Sequence, residues 1–191
     1  ACVYCHNPHA VMTNVNLPEP IGAPKPAGPT MRFVSGLDRS GLPISHSRYE
    51  YEVCFKCHAD SVVRSAVGEH PRDIIQTNTR FEFQTNNPSF HPVIGPRNNT
   101  DVVSLIPPLR VGSVIGCTDC HNSDDASQGG LAGVSGPHGS IYEPLLVANY
   151  DRDDFVTESP QAYALCYQCH DRQSILADES FPLHRVHIVD G

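Results

Sequence analysis

The apolar positions of this chain fall in short, scattered groups rather than long periodic runs. None approaches the eighteen or so residues of a transmembrane helix. Residues 79–84, TRFEFQ, alternate as a short half-buried strand would, and a second short strand is expected over residues 31–34. Ser47-Arg48-Tyr49-Glu50 has the capping-box form, Ser at the cap and Glu three residues on. It predicts a helix that runs through residues 54–58 and on through 61–67. Ser159 followed by Pro160 predicts another helix start, leading through residues 166–170. Between these elements residues 17–29, LPEPIGAPKPAGP, read as an extended polyproline-type segment over the surface. Residues 86–108, dense in Asn and Pro, read as loop, and Asn98-Asn99-Thr100 as a polar stretch of it. Residues 129–139 are glycine-rich, which lets backbone pass close to a flat ligand. The fold class expected is mostly coil with a few short helices and short strands, in one domain over 1–191.

Composition sharpens that picture. With 17 Pro, 14 Gly, no Trp and 39% hydrophobic residues, the chain has little from which to build a large aliphatic core. A formal net charge of −8 argues against nucleic acid and anionic membranes as partners.

One motif occurs four times and uses all eight cysteines: Cys2-Val3-Tyr4-Cys5-His6, Cys54-Phe55-Lys56-Cys57-His58, Cys117-Thr118-Asp119-Cys120-His121 and Cys166-Tyr167-Gln168-Cys169-His170. Zinc ribbons and disulfide scaffolds also pair cysteines, but neither requires a histidine directly after every pair. With 11 His in 191 residues, four such histidines by chance come to about one in 10⁵. C-x-x-C-H is the attachment spacing of a c-type haem: the thiols form thioethers with the haem vinyl groups, and the adjacent histidine ligates the iron. The expected cofactors are four haem c groups, on Cys2 and Cys5, Cys54 and Cys57, Cys117 and Cys120, and Cys166 and Cys169. His6, His58, His121 and His170 are the proximal ligands. Four buried porphyrins would take the place of the missing core, and without them the chain is expected to be largely disordered.

The motifs are of two kinds. The first and third continue with Asn and are each followed by a Pro-His, at His9 and His138. The second and fourth carry Tyr three residues before the first Cys, at Tyr51 and Tyr163, and are followed by a histidine beside branched apolar residues, His91 and His187. This pattern predicts a duplicated two-haem unit, about 1–100 and 101–191. It selects His9, His91, His138 and His187 as distal iron ligands, with His184 and His46 as alternates and His70 as a surface histidine. Two Met in unmatched contexts make His–Met ligation a poor fit.

C-x-x-C-H-N-P-H, the Gly-Pro-His-Gly-Ser stretch at 136–140 and the H-x-x-H tail together resemble the multihaem cytochromes of metal-reducing bacteria. Four motifs in a chain of this length resemble the tetrahaem extracellular cytochrome filaments, the OmcE type in particular. The resemblance implies a polymer in which haems stack in a continuous row, and one axial histidine crosses to the neighbouring subunit. The expected partners are then other copies of the chain, head to tail, with His9 ligating a haem of the adjacent copy, together with redox donors and extracellular acceptors. The first motif at residue 2 and the short tail after the fourth lead to the same expectation. The first motif at residue 2, with covalent haem attached after export, also leads to the expectation of an exported chain with a processed N-terminus, extracellular or, alternatively, periplasmic. The function expected is electron transfer without catalysis by the protein itself. The alternatives are a monomeric periplasmic tetrahaem shuttle and a multihaem reductase with one open iron.

Overall fold

In the computed structural model, residues 2–9, 22–60, 78–97, 99–125, 133–179 and 181–189 are described. The longest helix among them, α1 at Glu50–His58, carries the second motif. Tyr51, Phe55 and Ala59, spaced four apart, lie on one face and are buried against Val93 and Ile94, with Leu37, Phe83 and Ile115 packed around them. Tyr51 and Phe55 rings meet at 5.2 Å between centroids. That face leaves Cys54 half-buried and Cys57 exposed.

The helix starts at Tyr49 rather than at Ser47. Glu52, not Glu50, reaches back to accept from Arg48 N at 2.7 Å and Tyr49 N at 2.9 Å. Ser47 is drawn inward instead, its N–H donating to Val34 O at 2.7 Å, and Glu50 is buried with Lys25 Nζ at 3.9 Å. The helix closes at Ala59, and the expected continuation through 61–67 lies outside the described residues.

The strand expected over 31–34 is displaced. Residues Pro29–Met31 form a 3-10 turn, Phe33 takes a left-handed backbone (φ 64°), and pairing begins at β1, Gly36–Leu37, antiparallel to β2, Pro43–Ile44. Gly36 sits so close to α1 that a Cβ there would collide with the Glu52 carbonyl and the Ser47 hydroxyl. Residues 79–84 are not a strand either: α2 spans Thr79–Glu82, with the Asn78 side chain accepting from Arg80 N at 3.1 Å.

The helix expected after Ser159 does not form as an α-helix. Ser159 Oγ does accept from Ala162 N at 3.0 Å, but the chain then continues in turns and a 3-10 segment at Cys166–Gln168. Asn149 breaks the ladder, because Leu165 N donates to its carbonyl at 2.9 Å while its amide donates to Gln161 O at 3.0 Å. Helix α3, Arg172–Leu176, comes after the fourth motif, capped by Asp171 accepting from Ser174 N at 2.8 Å, and packs on α4, His184–Ile188. Residues 86–108 carry no helix or strand where described.

The described residues are thus mostly coil, with short helices and one two-stranded sheet. The chain divides into two compact units, Ala1–Asn98 with Gly112–Cys117, and Asn99–Val111 with Thr118–Gly191. Among the described residues no helix is long and apolar enough to cross a membrane.

Candidate functional site

Three of the four motifs adopt the same tight turn. The 3-10 segments Cys2–Tyr4, Cys117–Asp119 and Cys166–Gln168 each begin at the first cysteine. In the first motif Cys5 N and His6 N both donate to Cys2 O, at 3.2 and 2.8 Å. In the fourth, Cys169 N and His170 N both donate to Cys166 O, at 3.2 and 3.0 Å. The second motif makes the equivalent turn within α1.

Three motif histidines are held through Nδ1. His6 Nδ1 lies 3.1 Å from Thr30 Oγ1, His170 Nδ1 2.8 Å from Ser104 Oγ, and His121 Nδ1 3.2 Å from Pro144 O. A carbonyl only accepts, so His121 carries its proton on Nδ1 and offers Nε2 as the lone-pair nitrogen. This is the arrangement expected of an imidazole that ligates iron through Nε2. None of the eight cysteines is paired with another in a disulfide. The hydrogen bond with Cys54, and then burial, raises the Cys117 thiol well above its ordinary value, and burial raises Cys5, Cys166 and Cys169. Among the described residues no three His, Cys, Asp or Glu side chains converge to hold a metal ion by themselves, so no four-thiolate zinc site is preassembled there. The donor set fits haem c.

Within each unit, motifs also lie close to one another. Within the first unit Lys56 Nζ, of the second motif, donates to Tyr4 O of the first at 2.7 Å and sits 5.9 Å from the Tyr4 ring centroid. Cys54 and Cys57 bear on Cys5, and Cys54 hydrogen-bonds with Cys117 of the third motif. Within the second unit Asp119, of the third motif, bears on Cys169 of the fourth.

The histidines selected as distal ligands fall in different settings. His9 is exposed, its N–H donating to Asn7 Oδ1 at 3.0 Å. His138 is exposed, its N–H donating to Gly136 O at 2.8 Å, in a loop anchored by buried Asn122, whose Oδ1 accepts from Gly136 N at 2.6 Å and Ser123 N at 2.9 Å. In both halves, then, the Asn directly after the motif histidine tethers the segment that carries the Pro-His. His91 reaches the surface, but the protein packed around it, and then Arg97, lower its pKa, which favours the neutral ring that ligates iron. His187 is exposed and stacks on Phe181 at 6.3 Å, while His184 meets the same ring edge-on at 5.0 Å with its Nδ1 buried. His46 is exposed beside Ser45 Oγ, 3.1 Å away, and Phe33. His70 and Asn98 lie outside the described residues.

Thr30, Ser104 and Pro144 carry no signal in the sequence as site residues. Thr30 and Ser104 lie 24 and 66 positions from the histidines they hold. Only the Asn after the motif histidine has a sequence signal, its recurrence in the first and third copies.

A family model described as a doubled CXXCH motif matches residues 107–175, which take in the third and fourth copies. No curated protein and no solved structure matches the chain. The doubled motif points to a multihaem c-type cytochrome that binds haem covalently and transfers electrons.

Proposed function

We propose that the chain binds four haem c groups, each with two histidine ligands, and serves as a subunit of an extracellular filament for long-range electron transport. The observation that carries this reading is the proximity of consecutive motifs: first to second through the Lys56–Tyr4 hydrogen bond, second to third through Cys54 and Cys117, and third to fourth through the electrostatic influence of Asp119 on Cys169. Bound haem would supply the one-electron change at iron. What the chain supplies is proximity and ligands: paired thiols to fix each group and, at three of the motifs, a histidine turned by its Nδ1 partner. Six histidines besides the motif four and His70 are available for four distal sites, which favours closed irons and carriage over catalysis. About 48 residues per motif leave chain for subunit contacts beyond haem wrapping. The flanking patterns shared with tetrahaem filament cytochromes support self-association, with His9 crossing to a neighbouring copy, and an extracellular setting.

The test is the purified holoprotein, assayed for haem per chain by pyridine haemochrome and imaged in negative stain. Four haems per chain, a wholly low-spin oxidised spectrum and filaments are expected. Discrete particles of single-chain size would leave the carrier but remove the polymer. A high-spin component would favour a reductase instead.

A further inference from the structure

Two hydroxyl residues remote from the motifs make the same pair of contacts to them. Thr30 accepts from Asn7 N at its carbonyl, 2.6 Å, and places Oγ1 3.1 Å from His6 Nδ1. Ser104 accepts from Asp171 N at its carbonyl, 2.7 Å, and places Oγ 2.8 Å from His170 Nδ1. In each case one residue grips the backbone directly after the motif histidine and the ring of that histidine together. The fourth motif is held further by Ile106 N donating to Cys169 O at 3.0 Å and by pairing of Leu105 with His170.

We propose that Ser104 and Thr30 are positioning residues for the fourth and first haem sites: each accepts the Nδ1 proton, fixes the ring's rotation and strengthens Nε2 as a donor to iron. The inference rests on reading the motifs as haem c sites. A neutral imidazole has one N–H and one lone pair, so holding the proton at Nδ1 leaves Nε2 for the metal. An accepted Nδ1–H shifts electron density toward Nε2, which stabilises the oxidised iron. The two clamps differ in their access to water. Ser104 is 1% exposed, so nothing replaces its oxygen when it is removed, whereas Thr30 stands at the surface and water can substitute. The effect should therefore be larger at Ser104. Because the backbone grip does not involve the hydroxyl, Ser104→Ala removes the ring contact and leaves the carbonyl contact in place.

The experiment uses the four-haem holoprotein of wild type, Ser104→Ala, Ser104→Thr, Thr30→Val and Thr30→Ser. Haem content is checked first: fewer than four haems in the wild type would defeat the haem reading itself, separately from the clamp. In fully loaded Ser104→Ala, one of the four reduction midpoints should move positive, and one hyperfine-shifted histidine Nδ1–H should exchange with solvent about tenfold faster, the loss of one hydrogen bond. Ser104→Thr should restore both. Thr30→Val should move a different midpoint by less, and Thr30→Ser should not. Should the buried variant fail to accumulate, Thr30→Val decides. Unchanged midpoints and unchanged Nδ1–H exchange in the loaded variants would overturn the proposal.

Discussion

Single residues divide the histidines by how they are held. His6, His121 and His170 have a partner at Nδ1, from a hydroxyl or a carbonyl. Two of the proposed distal set are placed by backbone instead: His9 by Asn7, His138 by the loop that Asn122 ties down. Replacing His9, His91, His138 or His187 singly with Ala should convert one haem in four to high spin, seen as a charge-transfer band near the red end of the oxidised spectrum and a high-spin resonance at low temperature. His70→Ala should leave all four low-spin. A disturbed haem in the His70 variant, with His91→Ala silent, would redirect the distal assignment to the unmatched histidines. The paired-thiol motifs are fully legible in the sequence because attachment chemistry needs residue types at fixed local spacing. The clamp residues are not, since Ser104 and His170 meet only through tertiary structure.

Among the elements, short-range pattern fails where an element is only a turn or two long. TRFEFQ alternates, yet two apolar positions in so short a stretch do not establish a period, and the Asn78 side chain caps a helical turn there. Ser159–Pro160 is a sound helix start, but Asn149 captures both Leu165 N and Gln161 O, a competitor ten or more positions away that no local signal announces. The segment is secured instead by Glu158, which accepts from Tyr167 Oη at 2.9 Å and Arg172 Nε at 2.8 Å, with Arg172 Nη2 on its other oxygen. Arg172 first, and Tyr167 with it, hold the Glu158 carboxyl below its ordinary value against the opposing effect of burial. The folded value being lowered, this contribution is fully present above the unfolded carboxyl pKa of about 4.3 and is lost as pH falls through the lower folded value. Glu158→Gln should therefore lower the unfolding midpoint by a few degrees at pH 7. The gap from wild type should close as pH falls below about 4. Thermal melts of the two holoproteins across that range check it, and a gap that is constant with pH would remove the ion pair from the account.

Over the whole molecule the balance of apolar surface is unusual. Among the described residues twelve hydrophobic side chains are buried, while sixteen large ones are exposed, Phe155 at 86% and Ile141 at 77%. A chain so composed does not bury enough to offset its conformational entropy from its own side chains alone. Haem attached at the motifs would supply the difference. Substituting Ser for the eight motif cysteines should leave a chain with far-ultraviolet dichroism of largely unfolded backbone and rapid amide exchange, except for residual protection around Tyr51, Phe55 and Val93. A cooperative thermal transition in that variant would show that the protein core suffices.

The four C-x-x-C-H motifs, the coil-rich class and the likeness of first to third motif and second to fourth are all readable along the chain. They depend on residue identity at close spacing and on composition, which folding does not alter. The start of α1, the helix at residues 79–82, the turns under the fourth motif and the hydroxyls that meet His6 and His170 emerge only on folding. Those outcomes are competitions for hydrogen bonds between partners far apart in the chain. Ser47, Asn149, Thr30 and Ser104 each resolve one of them, through contacts that only the folded chain brings within reach.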